Sequence, residues 1–171
     1  LLAAGAVKLI KIEFEVAAAY EGQGYLSDID VFLRARNFRL ANIQVEELRP
    51  AKVRHLCHKG ESIWGKALYV PNQDHLKTRL GRIHRSKGRE PARKELASMV
   101  ALYAASELLG SVYDAIEHAE GAAVITVSEG QHLREQINHA FQWARLEMGM
   151  SQLGALVSAV IGRLLPKGLE R

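Results

Sequence analysis

Five side chains lie close enough along the chain to act together on a hydroxyl-bearing ligand: Glu13, Glu15, Tyr20, Glu21 and Gln23. A carboxylate within reach of a hydroxyl can take its proton as a general base, while a phenol or an amide hydrogen-bonds the same oxygen. In VKLIKIEFE (residues 7–15) apolar and charged residues alternate, so the two glutamates sit at the end of a strand. The loop that follows is broken by Gly22 and Gly24. In open α/β sheets, ligands bind beyond the carboxyl ends of the parallel strands, and loops there carry function disproportionately. The competing reading is structural: Tyr20 and Gln23 pin the loop onto the next helix, and Glu13 and Glu15 face solvent.

Other groupings carry less. Residues 46–60, EELRPAKVRHLCHKG, hold Arg49, Lys52, Arg54, His55, His58 and Lys59, which could attract an acidic substrate. They read better as a solvated connection. His55, Cys57 and His58 are zinc-ligand types, but zinc sites recur as spaced pairs and no second pair is placed to complete one, so no metal is expected. Between His75 and Lys94 stand Lys77, Arg79, Arg82, Arg85, Lys87, Arg89, Arg93 and Lys94 against the single acid Glu90. Such a run can contact phosphates, but no aromatic residues interleave to stack bases, so nucleic acid is an unlikely partner. It reads as a basic linker over residues 76–90. Tyr103, Phe141 and Trp143 fall on helical apolar faces and read as packing.

The elements that must position these groups differ between the two halves. The first half reads as a strand over 7–15 with a change of phase at Leu9–Ile10, then a helix over 27–36 capped by Ser27. That helix is ended by Asn37, a residue that tolerates the left-handed conformation. Strands over 38–45 and 62–70 follow, the second closed by Pro71 and Asn72. Beyond the basic run the period becomes helical. Pro91 suits the first turn of a helix reaching about residue 109, and further helices are expected over 111–119 and from Ser128. Ser128 and Gln131 have capping-box spacing, with Leu133, Ile137, Ala140, Phe141 and Ala144 on one face. A last helix is expected over 151–165.

Composition agrees with a folded, water-soluble domain. Of 171 residues, 48% are hydrophobic and 25% charged, which argues against disorder over most of the length. One cysteine excludes an internal disulfide framework and fits a reducing compartment, so a cytoplasmic address is expected. The longest apolar stretch, 153–165, is too short for a membrane span. The chain opens on Leu1 within an apolar run, as a piece of a longer protein would.

Residues 12–43, IEFEVAAAYEGQGYLSDIDVFLRARNFRLANI, and 63–71, IWGKALYVP, resemble the late part of an FkbM-type methyltransferase domain. In that family a strand ending in an acidic pair leads to a Tyr-Glu-Gly-Gln loop, a helix of the form D-I-D-x-F-L-R-A-R, and a further strand. A closing strand W-G-D-A-L-Y-V-R comes later. Lys66 stands here where the family commonly has Asp, and Asn37 where it commonly has Gly. The resemblance covers about residues 1–75.

It implies an α/β fold: the C-terminal part of a Rossmann-like methyltransferase sheet over 1–75, followed by the linker and an α-helical region over 91–171. The three strands would be the fifth, sixth and seventh of the family sheet. Residues 62–70 would lie in the centre, antiparallel to 7–15 at one edge and 38–45 at the other. The implied activity is transfer of a methyl group from S-adenosylmethionine to an oxygen of a small-molecule, glycan or lipid-linked acceptor. The implied cofactor site needs a glycine-rich turn after a strand and a ribose-binding acid. Neither stands in these residues, so the chain alone is not expected to bind the cofactor. The rival functions are a helical protein-interaction module and a non-specific nucleic-acid binder.

Overall fold

In the computed structural model, which describes residues 6–15, 24–48 and 61–143, the alternation in IKIEFE becomes β1, Ile10–Glu15. Ile10, Ile12 and Phe14 turn to one face, while Lys11 and Glu13 stand exposed on the other. The change of phase at Leu9–Ile10 marks the strand's start, three residues later than the hydrophobic pattern suggests. The helix α1 follows, Leu26–Arg34. Then come β2, Phe38–Leu48, and β3, Glu61–Pro71.

The three strands form a sheet of order β1-β3-β2, with β3 antiparallel to both neighbours. This is the order and direction that the resemblance led one to expect. One face is covered by α1, whose Leu26, Ile29 and Leu33 recur at helical spacing and pack with Phe14, Phe38, Ala67 and Tyr69. Burying a leucine such as Leu33 contributes about 2 kcal/mol. Asn37 takes φ 64° and turns the chain from α1 into β2, and its carbonyl accepts the amide of Asn72 at 2.7 Å. Ser27 is not the cap of α1. The helix starts one residue earlier, and the Tyr25 amide donates to Asp28 Oδ2 at 3.0 Å. Asp28 at the third helical position reaches back to the amide of Tyr25, the residue that precedes the helix, so Ser27 falls within the first turn.

Residues 73–171 form a second compact unit, distinct from residues 1–72. The expected linker over 76–90 is instead mostly helix. α2, Gln73–Lys87, buries Leu76, Arg79 and Leu80 at the i, i+3, i+4 spacing that the run of positive charge masks. A single residue, Gly88 at φ 89°, turns the chain into α3, Arg89–Ala105. α4, Leu109–Gly121, and α5, Val127–Trp143, complete the described unit. Leu80, Leu96, Val100, Tyr103, Val112 and Ile116 are its largely water-free core. The connection between α4 and α5, residues 122–126, buries Val124 and Ile125. The cap of α5 is Thr126 with Glu129, not Ser128 with Gln131: the Thr126 amide donates to Glu129 Oε2 at 2.7 Å, and the Glu129 amide to Thr126 Oγ1 at 3.2 Å. Ala144 and the helix expected over 151–165 lie outside the described residues.

Candidate functional site

Because β1 and β2 both run antiparallel to β3, their carboxyl ends lie at the same end of the sheet. The register there sets Glu13 opposite Lys66 and Glu15 opposite Trp64, with Gln44 and Glu46 of β2 opposite the same two residues from the other side. Paired residues share a face, and since Phe14 points into the α1 core, this row lies on the face away from α1. Glu13 is exposed there. Lys66 Nζ lies 5.0 Å from the centroid of the Trp64 ring, a cation–π contact on a ring that is 36% exposed. The described part of the row sets a carboxylate (Glu13), an amide (Gln44), an ammonium (Lys66) and an indole (Trp64) on one face, near the carboxyl ends of β1 and β2.

Of the five residues singled out by sequence, Glu13 and Glu15 are brought to this row by the register. Tyr20, Glu21 and Gln23 lie outside the described residues, in the segment joining β1 to α1. Lys66 and Trp64 are members of the row that the sequence reading did not select. Their spacing of two within a strand puts them on one face, but only the register shows that this face is also that of Glu13 and Glu15. Among the described residues, no three His, Cys, Asp or Glu side chains group as metal ligands; His55, Cys57 and His58 lie outside them.

A second polar group lies on the α1 side. The Tyr69 hydroxyl donates to Asp30 Oδ1 at 3.2 Å, and Arg34 Nε donates to Asp30 Oδ2 at 2.6 Å. The hydrogen bond from Arg34 holds the Asp30 carboxyl below its ordinary range. Burial, reinforced by the charge of Asp30, pushes the Tyr69 phenol up to about 12. At neutral pH the phenol is thus a hydrogen-bond donor and not a base. Asp30 and Arg34 belong to the D-I-D-x-F-L-R-A-R stretch and Tyr69 to A-L-Y-V, so these motif residues tie α1 to β3.

Half of the basic run is taken up by ion pairs within the helical unit. Arg79, with a side chain only 9% exposed, pairs with Glu95 at 2.5 Å. Arg89 donates to the Val124 carbonyl at 2.8 Å and pairs with Glu129 at 3.0 Å, and Arg93 pairs with the same carboxylate. Lys94 lies 3.9 Å from Glu90. Lys77, Arg82, Arg85 and Lys87 are exposed on α2.

No helix among the described residues is long and apolar enough to cross a membrane. The chain matches no known protein-family model, no curated protein and no solved structure.

Proposed function

We propose that this chain is part of an S-adenosylmethionine-dependent methyltransferase resembling the FkbM family, acting on an oxygen of a small-molecule, glycan or lipid-linked acceptor. The observation that supports this reading is the strand order β1-β3-β2, with a central antiparallel β3 and α1 as the crossover between β1 and β2. That is the arrangement the resemblance implies for the last three strands of the family sheet. The cofactor half of such a domain is not assigned to these residues, whose sequence carries no G-x-G-x-x-G pattern after a strand. The part assigned here is the acceptor side, formed by Glu13, Glu15, Tyr20, Glu21 and Gln23.

The test uses the longer enzyme of which these residues would form the end. Tyr20→Phe and Gln23→Ala are expected to lower turnover while leaving cofactor affinity nearly intact. Normal turnover in folded variants would return the loop to a purely structural role. A second reading, a helical interaction module, draws on one observation: residues 73–171 form a compact unit with a core of their own.

A further inference from the structure

We propose that the exposed side of α2 is a docking surface for an anionic membrane, to which the helical unit adsorbs by charge alone. Leu76, Arg79 and Leu80 of α2 are buried, and on the opposite side of the helix Lys77, Arg82 and Arg85 stand exposed within an arc of about 140°. Lys87 is exposed at the end of the same helix, so the cations are strung along about 15 Å of it. The one acid of α2 is Asp74 in its first turn, and none follows until Glu90. None of the four cations makes an ion pair among the described residues. Glu90 and Glu95 of α3 and Glu120 of α4 are taken by Lys94, Arg79 and Arg134, so these carboxylates do not neutralise the face.

The chemistry of this face selects a membrane over other polyanions. The exposed residues between the cations, Thr78 and Ser86, are small and polar. With no aromatic ring on the face to stack a base, single-stranded nucleic acid gains nothing there beyond charge. With no exposed aliphatic or aromatic side chain, the helix lies on the headgroups and does not enter the acyl layer. Duplex DNA meets a helix along one phosphate ridge at a time, which leaves cations spread over such an arc partly unmatched. A leaflet of anionic headgroups is negative over a whole plane, and the long stems of Lys77, Arg82 and Arg85 let all three charges reach it together. Each cation held near such a surface strengthens adsorption about fivefold. The proposal rests on α2 and not on methyl transfer. Its failure would leave the functional reading untouched, since that reading is tested by turnover.

In co-sedimentation at low salt, the 171-residue chain is expected to bind vesicles of equal parts phosphatidylglycerol and phosphatidylcholine. It should leave vesicles of phosphatidylcholine alone unbound, and rising salt should release it from the anionic ones. Arg82→Gln and Arg85→Gln should each lower the partition coefficient about fivefold. Both positions are exposed and glutamine suits a helix, so the variants keep the fold, which circular dichroism verifies. Lys94→Gln removes the same charge from α3, where Lys94 already faces Glu90, and should change the partition little. A wild-type chain that does not bind the anionic vesicles, or binds the neutral ones equally, overturns the proposal. So do folded Arg82→Gln and Arg85→Gln chains that bind as wild type does, or a Lys94→Gln chain weakened as much as they are. Duplex DNA that strips the chain from the vesicles at equal phosphate concentration would overturn it in favour of a nucleic-acid surface.

Discussion

Tyr69 shows how a single buried polar atom makes stability depend on pH. Its phenol lies within the apolar layer between α1 and β3 and finds one acceptor, Asp30. Tyr69→Phe removes that bond but leaves Asp30 paired with Arg34 and partly hydrated, so no charge is stranded. Chemical denaturation should show a loss of about 1 kcal/mol. Because the folded phenol titrates near 12, above its ordinary 10.0, the folded state holds the proton more tightly than the unfolded one. Its contribution is therefore complete below about pH 10 and is lost as pH rises from there through 12. Tyrosinate absorbance should follow the loss, and the Phe variant should lack that step. Asp30 acts in the opposite sense: its lowered carboxyl contributes above the unfolded value and is lost as pH falls through the folded one.

Within the elements, two positions carry requirements that composition hides. At Gly65 in β3, a methyl group would come 2.4 Å from the Gln44 carbonyl oxygen and 2.7 Å from the ring carbon Cζ of Phe14. The Phe14 ring lies across the glycine, and the backbone on the other side cannot retreat without breaking the β2–β3 ladder. Gly65→Ala should cost about 3 kcal/mol, read from the denaturation midpoint, with Phe14→Leu in the same chain recovering part of it. At the start of α5, Thr126 and Glu129 satisfy each other's amides, and the Thr126 amide is the main reason the Glu129 carboxyl is held low. Thr126→Ala should cost about 1 kcal/mol in the thermal unfolding of residues 73–143, and Ser128→Ala almost nothing.

For the molecule as a whole, the fate of the positive charge decides which functions remain in view. Eight basic residues stand in the run from Lys77 to Lys94. Arg79, Arg89, Arg93 and Lys94 are committed to Glu95, Glu129 and Glu90. Binding to duplex DNA through the four exposed cations of α2 should be weak, and the logarithm of its affinity should fall against log salt with a slope no steeper than about −4. Sequence-selective binding that survives physiological salt would favour the nucleic-acid reading. Much of the fold could be read before the structure. Alternation in IKIEFE and the left-handed tolerance of Asn37 are local properties, written in consecutive residues, and they placed β1 and the end of α1 to within a few residues. The order β1-β3-β2 came from a resemblance rather than from periodicity, because hydrophobic period says nothing about which strands pair. What the tertiary structure alone decided is long-range. That Arg79 is a buried partner of Glu95 and not a linker charge depends on α2 folding back on α3, residues apart in sequence but adjacent in space. That Glu13, Lys66 and Trp64 form one row depends on the register between β1 and β3, since a slip of a single residue would put Lys66 on the α1 face and the row would not exist.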